Sequence, residues 1–366
     1  MALDLPEFPW DALVPYAATA RRHPGGIVDL SVGSPVDPTP DVVREALAVA
    51  TDAHSYPQVA GTPALRSAIA EWYERRRGVT GLGDAHVLPT IGSKELIAGM
   101  ALWLGIGAGD TVVYPTNAYP TYALGAALVG ATALASDDPA EWPASTKLVW
   151  LNSPGNPDGA VLGIEALRAA VARARELGAV IAGDECYAEL GWTGEWADHP
   201  TPCILDPRVV GDDLRGVVSV YSLSKQSNLA GYRAGFVAGC DHVLGQLLAV
   251  RKHAGLMPPA PVQQAMVVAL ADEAHVVEQK ARYAARRARL LPALEGAGFR
   301  IDRSEAGLYL WATRDEDAWV TVSWLAERGV LVAPGSFYGP AGDRHVRVAL
   351  TTTDERIDAA VGRLGS

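Results

Sequence analysis

Three cysteines among 366 residues, Cys186, Cys203 and Cys240, are too few and too scattered for a disulfide framework or a metal-ligand set. Their scarcity fits a reducing cytoplasm. Positive charge is also short, with 31 lysines and arginines against 42 aspartates and glutamates and a formal net charge of −11. A nucleic-acid footprint needs a basic face, so that class of partner is excluded. No run of about 18 apolar residues offers a membrane span. The start, MALDLPEFPW, lacks the basic and then apolar segments of a signal peptide. Internal repeats and low-complexity tracts are missing too.

What is present reads as ordered and globular: 49% hydrophobic residues, 20% charged, with helical and strand-like patterns throughout. The length suits two domains. The expected division is a large domain over 34–257 and a smaller one combining 1–33 with 258–366. A short helix is expected over 10–22, a strand over 27–32, a helix over 40–53 with Thr39 as its cap, and an amphipathic helix over 63–77. From residue 86, short apolar strands (87–90, 111–114, 147–151, 179–183 and 216–221) alternate with helices. That rhythm predicts an α/β fold with a mostly parallel sheet covered on both faces. Pro258, Pro259 and Pro261 predict a hinge, followed by one long helix over 262–291. Strands at 307–312 and 345–350 and a helix over 319–328 give the remainder an α+β character, and the first 30 residues are expected to pack with it.

Ligands of such sheets gather at the carboxyl ends of the strands, and polar residues collect there. The segment YSLSKQSNLAGYRAG, residues 221–235, follows a buried strand and holds Lys225, hydroxyls at Ser222, Ser224 and Ser227, and Arg233. An unpaired ammonium is costly in an apolar site. Lys225 therefore either reaches out to solvent or is held for chemistry, and a desolvated lysine forms Schiff bases with carbonyl groups. Hydroxyls and a guanidinium within eight residues suit a phosphate. Together these features point to pyridoxal phosphate (PLP).

Other positions admit two readings each. Asp184, ending the strand AVIAGD, is a turn or cap residue, or the carboxylate that keeps a pyridine nitrogen protonated. Tyr187 is a core tyrosine or a partner of the ring's phenolic oxygen. Gly92-Ser93 opens a helix, where it caps the first turn or receives a phosphate on backbone N–H groups. Lys94 beside them is solvated or a further cofactor contact. Asn156, in NSPGNPDG, belongs to a turn or donates to a ring oxygen. Arg347, inside the apolar run HVRVAL, faces solvent or a buried substrate carboxylate.

The order of Gly92-Ser93, Tyr119, Asn152-x-Pro154-x-Asn156-Pro157, Asp184-x-x-Tyr187, Ser222-x-Ser224-Lys225, Arg233 and Arg347 resembles the class I/II aminotransferases of PLP fold type I. The likeness runs from Gly33 to Arg347. Its most specific parts are SLSK with an arginine eight residues on in GYRAG, and Asn156-Pro157-Asp158-Gly159. It implies a mostly parallel seven-stranded sheet between helices in the large domain, plus a smaller α+β domain. Lys225 would carry PLP covalently and then shuttle the substrate proton, Asp184 would pair with the pyridine nitrogen, and Tyr187 and Asn156 would bind the phenolic oxygen. Tyr119 would stack on the ring. Ser93, Ser222, Arg233 and the amide of Gly92 or Ser93 would hold the phosphate, while Arg347 and the backbone of Gly33 would grip the substrate α-carboxylate. Tyr56 looks like the tyrosine that reaches the neighbouring subunit's phosphate, which implies an obligate homodimer with active sites at the interface.

Within the family, DLSVGSPVDPTP, IGSKELI, SLSKQSNLAGYRAGFVAG and VRKHAGLMPPAPVQ resemble N-succinyldiaminopimelate aminotransferases of lysine biosynthesis. That resemblance implies glutamate as donor and N-succinyl-2-amino-6-oxopimelate as acceptor. Cations should then meet the acceptor's distal carboxylates, and Arg251, Lys252, His253 and Lys94 are the candidates, unless they are simply solvated. A broad-specificity aspartate, alanine or aromatic aminotransferase would share the same motifs. A C–S lyase is compatible with the lysine chemistry. A PLP-binding regulator domain fits poorly with the acidic balance and with the lack of a winged-helix segment at the start.

Overall fold

The chain folds, in a computed structural model describing residues 9–365, around a large sheet with hydrophobic packing on both faces and a smaller sheet with a second core of its own. Residues 1–8, which carry most of the MALDLPEFPW start, lie outside the described residues. After the two-residue β1 (Val28–Asp29) come β2 (Val87–Ile91), β3 (Thr111–Tyr114), β4 (Thr132–Ala135), β5 (Thr146–Asn152), β6 (Val180–Asp184), β7 (Val217–Ser222) and β8 (Ala234–Gly239). β2 to β8 form one sheet in the order β2-β8-β7-β6-β5-β3-β4. β8 runs antiparallel to both its neighbours and the remaining pairs are parallel.

Helices on both faces explain why β7 is buried at every position. Successive side chains point to opposite faces. Val217 and Tyr221 therefore join the core that also holds Trp72, Phe236 and Val171. Val218 and Val220 join the core with Leu96, Met100 and Leu247. Ser219, within this strand, accepts a hydrogen bond from buried Tyr73 at 2.9 Å.

The second core covers a sheet of β9 (Arg300–Asp302), β10 (Tyr309–Thr313), β12 (Ala333–Pro334) and β13 (Val346–Ala349) in the antiparallel order β12-β13-β10-β9. Between them in sequence lies β11 (Val330–Leu331), which pairs in parallel with β1. Leu13, Ala17, Val28 and Leu30 from the start of the chain pack here with Leu310, Leu325 and Val348.

Three expectations need correction. The single long helix is two, Ala260–Ala271 and Ala274–Gly296. Asp272 is extended between them, and its carboxylate accepts from the His275 amide in the first turn of the second helix at 3.1 Å. The prolines do not open a hinge onto the second core, because Val262, Ala265, Met266 and Ala269 of the first helix pack into the core of the large sheet. Finally, Thr39 does not cap the helix Asp41–Val49. Pro40 holds the cap position, and the Thr39 hydroxyl donates to the Asn228 carbonyl at 3.4 Å.

Candidate active site

Strand register places the polar strand ends side by side. Asn152 at the end of β5 pairs with Asp184 at the end of β6, and Asp184 pairs with Val220 of β7. A cavity of about 480 Å³ lies over these ends. Of the predicted site residues, Gly33, Ser93, Lys94, Tyr119, Asn156, Asp184, Tyr187, Ser222, Lys225, Arg233 and Arg347 line it. Tyr56 does not; its side chain is 98% exposed.

At one end of the cavity the helix Gly92–Trp103 presents its start. Gly92 has φ +68°, and a Cβ there would stand 2.3 Å from Arg233 Nη2. Glycine at this position is what lets the guanidinium lie across the helix N-terminus. Arg233 itself adopts φ +56° and donates to the Ala230 carbonyl at 2.8 Å. Ser93 and Ser222 line the same cavity, and the Ser222 hydroxyl donates to that of Ser224 at 2.8 Å. Free N–H groups, a guanidinium and two hydroxyls make a receptor for a phosphate.

Lys225 lies between this cradle and the second core, its ammonium donating to the Gly33 carbonyl. Burial, reinforced by the positive charges of Arg347 and Arg233, lowers its pKa from the ordinary lysine value. Asp184 is buried, and that burial raises its pKa. Tyr122 donates to its Oδ2 at 2.8 Å and the Cys186 amide to its Oδ1 at 3.2 Å, and both bonds favour the charged form. Tyr122 is held by stacking on Trp150, with ring centroids 5.4 Å apart.

Arg347 reaches the cavity from β13. It is 3% exposed, and Nη1 donates to Asn156 Oδ1 at 2.9 Å and Nη2 to the Ser31 carbonyl at 2.7 Å. Nε has no hydrogen-bond partner among the described residues. Its guanidinium lies 3.9 Å from the ring centroid of Tyr309 and 4.9 Å from that of Tyr338. Burial alone would lower its pKa, but the surrounding phenols hold it above the ordinary value. A buried cation with neutral partners and an orphaned N–H is an anion receptor. Tyr187 bonds to the hydroxyl of Tyr309 at 3.1 Å.

Several functional neighbours escaped the sequence reading. Tyr122 sits three residues past Tyr119, but its partner Asp184 is 62 positions away. Tyr309 and Cys186 likewise line the cavity. Ser227, two residues after Lys225, bonds to His275 Nε2 at 2.8 Å, and His275 Nδ1 bonds to Asp272 at 2.6 Å. This is the contact order of a hydrolytic triad, yet Ser227 is fully buried and does not line the cavity. It anchors the loop that follows the lysine.

The candidates for the distal carboxylates are mostly corrected. Arg251 is fully buried and paired with Glu95 at 2.7 Å, away from the cavity. Lys252 and His253 are exposed near the end of the helix Asp241–Ala254 and do not line it either. Lys94 alone of the four does, with its ammonium 5.8 Å from the Tyr119 ring centroid.

The donor set fits PLP: a phosphate cradle that a side chain at residue 92 would fill, a lysine with a depressed pKa, and a buried carboxylate for a ring nitrogen. Comparison with known proteins agrees. The chain is 55% identical over 362 residues to 4-dedimethylamino-4-oxo-anhydrotetracycline transaminase OxyQ of Streptomyces rimosus, covering 99% of each chain. It is also 55% identical over 365 residues to a probable aminotransferase of Mycobacterium tuberculosis, covering 100% of this chain and 86% of that one. Among solved structures, a probable N-succinyldiaminopimelate aminotransferase from Thermus thermophilus superposes with a TM-score of 0.86 at 30% identity, covering 98% of this chain and 99% of that one. A family model described as aminotransferase class I and II matches residues 26–364, and the chain belongs to this family of PLP-dependent enzymes.

Proposed function

We propose that this aminotransferase takes its amino group from glutamate and passes it to an α-keto acid, with N-succinyl-2-amino-6-oxopimelate as the preferred acceptor. The observation that carries the carboxylate-bearing substrate class is Arg347, a buried cation with neutral partners in the same cavity as Lys225. Both proposed substrates present an α-carboxylate to it. Lys94, at the exposed rim, is the cation available to a distal carboxylate.

Bound PLP supplies an electron sink for the charge left when the substrate's Cα loses its proton. Gly92, Ser93, Ser222 and Arg233 would hold its phosphate, Tyr119 would cover its ring, and Tyr187 and Asn156 would meet its phenolic oxygen. Asp184 would keep the ring nitrogen protonated, and the bonds from Tyr122 and the Cys186 amide favour the charged carboxylate that this requires. Lys225 would move the proton of the substrate's Cα. Its disfavoured ammonium form makes it available as a base. Arg347 would hold the substrate's α-carboxylate and so fix the direction of the breaking Cα–H bond. The same reading makes the enzyme a cytoplasmic homodimer in which the outward-facing Tyr56 reaches the phosphate site of the neighbouring subunit.

A second reading is favoured by the 55% identity to the Streptomyces rimosus transaminase, whose name denotes a fused-ring ketone acceptor. The test is a set of half-reactions on the purified holoenzyme, following the visible band of the bound cofactor. Glutamate and N-succinyl-LL-diaminopimelate should bleach it fastest. If aspartate, alanine or phenylalanine wins, the acceptor assignment falls and a broad-specificity enzyme remains. If the glutamate-loaded enzyme regains its band only with a polycyclic ketone, the second reading holds. Pyruvate released from cystathionine would identify a lyase.

A further inference from the structure

Tyr309 is placed as though its hydroxyl matters. Its ring lies beneath Arg347, and its hydroxyl is 3.1 Å from that of Tyr187. The two tyrosines are 3% and 7% exposed. Gly33 reserves the space: a Cβ there would fall 2.0 Å from Tyr309 Oη, so even alanine would displace the hydroxyl. The carbonyl of the same Gly33 accepts from Lys225. Tyr309 Oη therefore sits among the groups that frame the reacting centre.

Two hydroxyls joined by one hydrogen bond hold two protons. Whichever donates leaves its partner's proton free for another acceptor. The charged and titratable groups facing the pair include Arg347 from β13, Lys225 from the loop after β7, the Cys186 thiol, and the phenols of Tyr338 and Tyr283. Burial would raise Tyr309, but Arg347 and Lys225 outweigh it and hold that hydroxyl below the ordinary phenol value. Burial, with Tyr309 as neighbour, pushes Tyr187 well above it. Tyr187 has a single hydroxyl proton, so if that proton goes to an acceptor in the cavity, the 3.1 Å bond has to be donated by Tyr309. We propose that Tyr309 is a positioning residue for Tyr187, donating its proton to Tyr187 Oη so that the Tyr187 O–H points into the cavity, toward the phenolic oxygen of PLP. This rests on the reading of Tyr187 as the partner of that oxygen. A hydroxyl that accepts one hydrogen bond becomes a stronger donor of the next. Tyr309 thus strengthens a cofactor contact that it does not itself make.

The test is a spectrophotometric pH titration of the substrate-free holoenzyme, reading the midpoint of the visible band of the lysine-bound cofactor. A hydrogen bond to the phenolic oxygen stabilises its anionic form and lowers that midpoint. Tyr187→Phe should raise it. Tyr309→Phe, which keeps the ring under Arg347, should raise it by roughly a tenth to a third as much. The double variant should match Tyr187→Phe alone. A midpoint that moves in Tyr187→Phe and stays in Tyr309→Phe overturns the proposal and spares the cofactor contact. So does a double variant in which the two shifts simply add. A midpoint unmoved by Tyr187→Phe overturns the contact and the proposal together.

Discussion

Buried charges in this protein are satisfied in two different ways, and the cavity separates them. Away from it they neutralise each other: Arg77 pairs with Glu185 at 3.0 Å, Arg251 with Glu95 at 2.7 Å, and Arg286 with Asp37 at 2.5 Å. Facing it, Arg347, Asp184 and Lys225 have only neutral hydrogen-bond partners, and none of them forms an ion pair among the described residues. Asp184 and Glu185 are adjacent in sequence and show both outcomes. Glu185 turns into the core toward Arg77, while Asp184 lines the cavity. A buried charge without a counter-charge is expensive. The proposed function gives the counter-charges of these three groups to cofactor and substrate.

The strongest way to break this comparison is Arg347→Ala. Losing a buried, hydrogen-bonded contact to a carboxylate should cost ~3 kcal/mol or more, roughly a hundredfold in kcat/KM for glutamate. Stability should fall little, since no protein carboxylate is orphaned. An unchanged apparent affinity for glutamate would show that Arg347 is not the clamp. Arg251→Ala should do the reverse. It strands Glu95 in the first turn of the cradle helix, and breaking such a pair costs about 3 kcal/mol of folding stability. Turnover per folded molecule, measured at saturating PLP, should persist. Arg251→Met with Glu95→Leu should recover most of the stability in a denaturant titration, because removing both charges leaves neither unpaired.

The contrast between Arg347 and Arg251 also marks how far the sequence could be read. Polar residues at the ends of apolar strands stood out because a short apolar run gives way to polar residues within a few positions. Gly92-Ser93, Asp184, Ser222 and Lys225 were legible that way. Burial of a helical residue by distant partners leaves no local trace. Arg251 read as one of three basic residues before the proline cluster, solvated or meeting a substrate carboxylate, since Glu95 lies 156 positions before it. The Tyr187–Tyr309 contact spans 122 positions and the Ser227–His275 contact 48. β8 was missed because AGFVAG is short and rich in small residues, and its antiparallel course inverts the strand–helix–strand rhythm. The break at Asp272 did have a local sign, an aspartate three residues before a helical amide, hidden by the continuous apolar pattern on either side.

A smaller effect sharpens the comparison at the anionic side. Tyr122→Phe keeps the stacking on Trp150 and removes one hydrogen bond from the Asp184 carboxylate. Hydrogen bonds to charged groups contribute about 1.5 kcal/mol or more. Burial already raises the pKa of Asp184, so losing this donor raises it further and shifts the group toward its neutral form. The enzyme should bind PLP yet turn over roughly tenfold more slowly, in the direction of Asp184→Asn but less severely. Unchanged kcat in Tyr122→Phe would mean that the Cys186 amide suffices to hold the charge.

The smallest effect is expected outside the cavity. Lys252 and His253 are exposed and, unlike Lys94, line no part of it. Removing both side chains should change stability by less than about 0.5 kcal/mol and leave KM for a succinylated acceptor unaltered. Lys94→Ala should raise that KM several-fold while sparing glutamate, whose α-carboxylate is met by Arg347. The opposite pattern, with Lys252 and His253 governing the acceptor and Lys94 silent, would break the division. It would mean that substrate charge is met by surface groups brought to the cavity from a second subunit, so that the cations lining the cavity within one chain serve the cofactor and the α-carboxylate alone.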